Sequence, residues 1–184
     1  MKIKTKFFGE INIADEQIIL FPYGIYGFEN SNRFVLLHDE ENEENENSGG
    51  GYFERESETV FRWLQCVDDE NLCFTVMEPK FIESGYNPKL PDNTLQKLGA
   101  GAGNEKDLIY LVIAVIYDDV ENSTANLLGP VVINSKNKVA AQIILESAEP
   151  QNSEYKIKHK IFSSIINTKQ TEQCGISKKE GEAV

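Results

Sequence analysis

The chain reads as an all-β protein: a compact, barrel-like antiparallel domain with one or two short helices. Three observations predict this. Short apolar runs recur along the 184 residues with turn signals between them. Those runs are rich in Ile, Val and aromatic residues, whose shape suits a pleated surface better than a helix. Their spacing is that of a sandwich or barrel, with no strand–helix alternation that would suggest a parallel sheet.

Taken in order, Ile3 to Phe7 alternates strictly, as a half-buried strand does. Ile18 to Phe21 is a short run ended by Pro22, and Arg33 to Leu37 runs into an acidic segment. Val60–Val67 and Leu72–Met77 flank Asp68-Asp-Glu-Asn71, a strong turn signal, and so predict a hairpin. Asp92 as cap, Leu95 and Leu98 at i and i+3, and Gly99 as stop predict one helix of two turns at most. The stretch Asp107–Glu146 then places a ten-residue apolar run, Leu108–Tyr117, and a polar connection, Glu121–Asn126. Two further apolar runs follow, joined by Ser135–Lys138. Trp63, mid-strand, is expected to face the core.

The net charge is −12, and Asp39–Glu58, with nine acids against Arg55, carries −8 of it. The Glu/Asn-rich part of that segment ends in three glycines and is expected to be a flexible insert. An acidic chain lacks the Lys and Arg that displace counterions from phosphates, so no direct nucleic-acid binding is expected, and a basic protein partner is. The longest apolar run is too short for a bilayer, which needs about 20 residues. The opening lacks a leader's apolar segment, and three cysteines without C-x-x-C spacing form neither a disulfide framework nor a zinc site. A cytoplasmic protein without membrane association is the expectation.

Candidate chemistry is sparse. The two histidines, His38 and His159, have no visible nucleophile or second ligand, and His159 sits among Lys156, Lys158 and Lys160. Gly99-Ala-Gly-Ala-Gly103 lacks the helix start that a phosphate cradle needs, and reads as a connection. Asp68-Asp69 and Asp118-Asp119 read as solvated turn formers, with a second reading as binding charges for a basic partner. Phe21-Pro-Tyr-Gly-Ile-Tyr-Gly-Phe28 is either a structural turn folded on the core or an exposed aromatic patch for a partner. Asn126 either holds its connection by side-chain-to-backbone bonds, the favoured reading, or faces a partner. No catalytic, cofactor or metal residue is expected.

Several phrases occur in order: Thr5-Lys-Phe-Phe-Gly-Glu10, Phe21-Pro-x-Gly-Ile-x-Gly-Phe28, Trp63-Leu-Gln-x-Val-Asp-Asp69, Leu72-x-Phe-x-Val-x-x-Pro79 and Tyr86-x-Pro88. Thr124-Ala-Asn-Leu-Leu-x-Pro-Val-Val-Ile-Asn134, Lys138-x-x-x-Gln142 and Tyr155-x-x-x-His159 complete them. Together they resemble the flagellar assembly factor FliW family over roughly residues 3 to 161. The resemblance implies a β domain at residues 1–162, with the acidic insert at 39–58 and a polar, flexible tail at 163–184. It further implies a non-enzymatic protein that binds and antagonises the basic translational repressor CsrA and relieves repression of flagellin mRNA. Flagellin is implied as the competing partner. The residues expected to meet a partner are Phe21, Tyr23, Ile25, Phe28, Asp68, Asp69, Asn126 and Leu128. The competing class is an acidic β module that chaperones a secreted subunit without any RNA-repressor partner.

This chain departs from the family pattern in its long acidic segment and in Gly129, where the family commonly has Ala. It departs also after Pro79 and in the tail. Within the tail, Ile176–Val184 is similar to the opening strand of CsrA proteins. A chance match, a fused or overlapping neighbouring sequence, and a strand that adds to a partner's sheet are all open readings of it.

Overall fold

The computed structural model describes residues 1–38, 60–100 and 105–161. The acidic insert, the Gly-Ala connection from 101 to 104, and the tail from 162 lie outside the described residues. The described residues form eleven strands: β1 (Lys2–Thr5), β2 (Gly9–Asn12), β3 (Ile18–Leu20), β4 (Arg33–Leu37), β5 (Phe61–Cys66), β6 (Cys73–Met77), β7 (Leu108–Val115), β8 (Thr124–Ala125), β9 (Val131–Asn134), β10 (Val139–Gln142) and β11 (His159–Lys160). The helix is shorter than expected, α1 being Thr94–Lys97. Asp92 does not cap it. Asn93 takes that position without a side-chain cap bond, and Gly99, at φ +60°, follows its end as expected.

Seven strands close on themselves in the order β3-β4-β5-β6-β7-β9-β10 and back to β3. An odd number of strands cannot close with every neighbour antiparallel, so one pair must run parallel. That pair is β3–β10, in contact through Leu20 and Val139. The expected antiparallel barrel is therefore correct at every seam but one. β8 and β11 extend the wall beyond the upper half of β7, and β1–β2 form a separate hairpin.

The barrel wall is buried on both faces along much of its length. In β7, Ile109, Leu111 and Ile113 point inward, with Phe34, Leu64, Val76, Val131 and Ile133. Leu108, Tyr110, Val112 and Ala114 point outward, yet lie in a second core with Leu127, Val132, Ile143, Tyr155 and Ile161. This is why these runs read as nearly unbroken Ile and Val rather than as a clean alternation. A third, smaller core lies where the β1–β2 hairpin covers β4 and β5: Ile3, Ile13, Val35 and Leu37 pack with Phe8 and Trp63. Trp63 thus faces away from the barrel interior. Its ring meets that of Phe8 edge-on, with centroids 5.3 Å apart. On the same outer face Gln65 is fully buried. Its Oε1 accepts from the Lys6 N–H at 3.0 Å, and its Nε2 donates to the carbonyls of Cys66, Asp69 and Leu72 at 3.0–3.2 Å. One amide pins both the N-terminal hairpin and the turn after β5.

Candidate partner-binding rim

Strand direction collects the candidate residues at one end of the barrel. Leu20 pairs with Arg33, so the end of β3 lies beside the start of β4. Phe34 pairs with Cys66, which puts the end of β5 and its turn at that same end. The parallel β10 ends there at Gln142, which faces Val131, the start of β9. Leu111 also pairs with Val131, so β7 runs out toward this end too. The aromatic loop, the Asp68–Asp69 turn, the residues after β7 and the Asn126–Pro130 connection therefore share one rim.

The aromatic loop is a tightly bonded knuckle. The Phe21 N–H donates to the Asn32 carbonyl at 2.8 Å, and Asn32 Nδ2 donates back to the Phe21 carbonyl at 2.8 Å, closing its base. Inside, the Gly24 N–H donates to Phe21 and the Phe28 N–H to Ile25, at 2.9 and 2.7 Å. Gly24 has φ +64°, and a Cβ there would lie 2.5–2.7 Å from the backbone of Phe28 and Glu29, so no other residue fits. Phe21 and Ile25 are 0 % and 1 % exposed. They anchor the knuckle in the core and expose almost no surface. Tyr23 and Tyr26 each stand 63 % exposed, and Phe28 is partly exposed while its ring edge packs on Phe74 at 5.3 Å. The loop is thus folded onto the core through some side chains and exposed through others.

Gln142 ties the knuckle to the connection between β8 and β9. Its Oε1 accepts from the Tyr26 N–H at 3.1 Å, and its Nε2 donates to the Gly129 carbonyl at 3.2 Å. Gly129 matters through what lies over it: a Cβ there would stand 2.6 Å from Asn126 Nδ2. The Asn126 side chain folds across this bare backbone, and its Oδ1 accepts from the Leu128 N–H at 3.2 Å. That is the local backbone bond expected of Asn in a turn. Asn126 and Leu128 are half-buried. Three of the separate phrases that carry the family resemblance meet at this one glutamine. Beside the knuckle, Tyr23, Gly24, Tyr26, Glu29, Lys97, Ala141 and Gln142 line a groove of about 290 Å³. Tyr26, Glu29, Lys97 and Gln142 were not among the expected site residues. Gln142 was legible only as a motif letter, because its partners lie 116 and 13 residues away.

On the next part of the rim, Asp68 accepts from both Arg33 Nε, at 3.0 Å, and the Arg33 terminal nitrogen. This hydrogen-bonded pair holds the Asp68 carboxyl below its ordinary range. Asp69 Oδ1 accepts from the Asn71 N–H at 2.9 Å and shapes the turn. The Asp68–Asp69 turn lies at the same end of the barrel as the exposed aromatics. Cys66 points into the barrel, and Cys73, opposite Gln65, points out of it, so the two do not meet. Burial pushes the Cys73 thiol up to about 11. Among the described residues, no group of three or more His, Cys, Asp or Glu is placed to hold a metal ion. No helix of the described residues is long and apolar enough to cross a membrane. The rim thus presents exposed tyrosines on a hydrogen-bonded loop and, at the same end of the barrel, the Asp68–Asp69 turn.

Comparison with known proteins agrees in length and fold. The FliW protein family matches residues 2–46 and 51–161. The flagellar assembly factor FliW of Lachnospira eligens is 32% identical over 165 residues, covering 90% of this chain and 97% of that protein. That of Ruminiclostridium cellulolyticum is 34% identical over 165 residues, covering 90% and 97%. A crystal structure of the flagellar assembly factor FliW superposes with a TM-score of 0.70 at 34% identity, covering 88% of this chain and 96% of the other. With its barrel, its motif phrases and nearly its whole described length in common with these proteins, this chain belongs to the FliW family of flagellar assembly factors.

Proposed function

We propose that the chain acts in the cytoplasm by binding a CsrA-type repressor, so that the repressor releases flagellin mRNA, and that flagellin competes for the chain. Family membership across the described domain carries this reading. The rim supports it physically. It presents Tyr23, Tyr26 and Phe28 on a loop already in its bound-ready shape, so little ordering entropy is lost on docking. Its acidic side chains suit a partner that is basic because it binds RNA. An acidic rim repels the phosphate backbone, so the chain acts on the repressor and not on the message.

The test is a gel-shift titration with a CsrA-type repressor, a flagellin-leader RNA and this chain. Adding the chain is expected to dissolve the repressor–RNA complex without producing a shift of its own, and adding flagellin is expected to restore the complex. A chain that shifts the RNA alone, or leaves the repressor–RNA complex intact, refutes the reading. Binding of flagellin without any effect on the repressor would instead support a chaperone.

A further inference from the structure

The rim carries a second surface, across the barrel mouth from the knuckle. β7 is eight residues long and outruns its neighbours. β6 pairs with it only as far as Ile113, and β8 pairs with Ala114 and Val115. Beyond this, Val115, Ile116, Tyr117 and Val120 are exposed by 48 %, 44 %, 50 % and 48 %. Four half-bare apolar side chains within six residues contribute little to folding.

Yet the segment is held in a fixed arch. The Tyr117 N–H donates at 3.1 Å to Oγ of Ser123, which is fully buried. The Ser123 N–H donates to the Val120 carbonyl at 3.0 Å, and Lys160 Nζ donates to the Glu121 carbonyl and to Asn122 Oδ1, both at 3.0 Å. No main-chain hydrogen bond joins Ile116 to another described residue, and the residue is 44 % exposed.

Charge selects the occupant. Asp118 and Asp119 follow the apolar run Val115–Tyr117, and Glu121 follows Val120; none of the three acids forms an ion pair among the described residues. An apolar patch with acids set into it fits a segment that carries apolar side chains and Lys or Arg together.

We propose that the Val115–Glu121 arch is a docking surface for an extended basic segment of the CsrA-type repressor. Its apolar side chains lie on Ile116, Tyr117 and Val120, and its cations face Asp118 and Glu121. This inference rests on the function proposed above and adds a surface to it.

The experiment measures binding of the full chain to a purified CsrA-type repressor by surface plasmon resonance, with melting curves in parallel. One variant reverses charge, D118K with E121K, and a second removes apolar surface, I116S with Y117S. The charge variant is expected to bind at least tenfold more weakly, mainly through a slower association, with the difference shrinking as salt is raised. The apolar variant is expected to lose at least tenfold through faster dissociation. Both should melt like the wild type, since the side chains are exposed. If the wild-type chain binds and both variants match it, the arch is not the docking surface. If the wild-type chain fails to bind the repressor, the function proposed above falls, and this inference with it. A fall of several degrees in the melting temperature of the apolar variant would show that the chain itself covers the patch, and would also overturn the inference.

Discussion

Gly24→Ala tests whether the knuckle is as rigid as its geometry indicates. At φ +64° an L-residue costs roughly 1–2 kcal/mol more than glycine. The added methyl would also meet the Phe28 carbonyl oxygen at 2.5 Å and Glu29 Cα at 2.6 Å. These are backbone atoms and cannot swing aside, so the loop itself must move, at about 1–3 kcal/mol by analogy with overpacked cores. The combined loss is about 2–5 kcal/mol, which for a chain of this size lowers the melting temperature on the order of 5–15 °C. Gly27→Ala is the internal control. Gly27 has φ +85° but open space within 4 Å, so only the conformational term applies, and the loss should be smaller, on the order of 2–8 °C. Thermal denaturation of the two variants side by side is the assay, with repressor binding as a second readout that should fail first in Gly24→Ala. Equal melting shifts for the two variants would refute the claim that close backbone packing, and not φ alone, fixes the knuckle.

Gln65→Leu should lower stability by roughly 2–5 kcal/mol, because it strands the Lys6 N–H and several turn carbonyls. A urea melt within 1 kcal/mol of the wild type would contradict the pinning role. Asn126→Ala should cost about 1 kcal/mol through the lost bond to Leu128 N–H. Unchanged urea stability with lost partner binding would instead make Asn126 a contact residue. Burial, and then Lys156, depress the His159 pKa below its ordinary value, which the unfolded chain retains. The unfolded state therefore binds more protons in the window just below that value. Stability from this group is present above pH 6.5, and is lost as pH falls through the depressed folded pKa. Melting temperatures of His159→Gln should fall less than those of the wild type between about pH 7.5 and 5.5, and parallel curves would rule out the contribution.

Strand existence was legible because side-chain shape and short-range alternation are local properties. Arg33–Leu37, Val60–Val67, Leu72–Met77 and Leu108–Tyr117 each contain the observed strand, with ends misplaced by two residues at most. The helix start was read less well. Asp92 has the right chemistry for a cap, but the backbone turns into the helix only at Asn93. Trp63 faces a core as expected, but which core was not legible. The hairpin β1–β2 builds a second apolar layer outside β5, and which side of a strand faces which layer depends on residues 50 or more positions away.

The chain's own letters therefore specify a β domain, its turns, its acidity and its family, since each of these is written in short runs or in ordered phrases. Closure of the barrel is another matter. Seven strands, one parallel seam and the shared end of β3, β5, β7 and β10 follow from long-range pairing, and only that pairing gathers the knuckle, the Asp68 turn and the arch into one rim. The same pairing separates Phe21 and Ile25, which the loop motif offers together with Tyr23 and Tyr26, into anchors below and a surface above. Burial is a property of what packs against a residue, and for Phe21 and Ile25 the packing partners lie on other strands of the barrel.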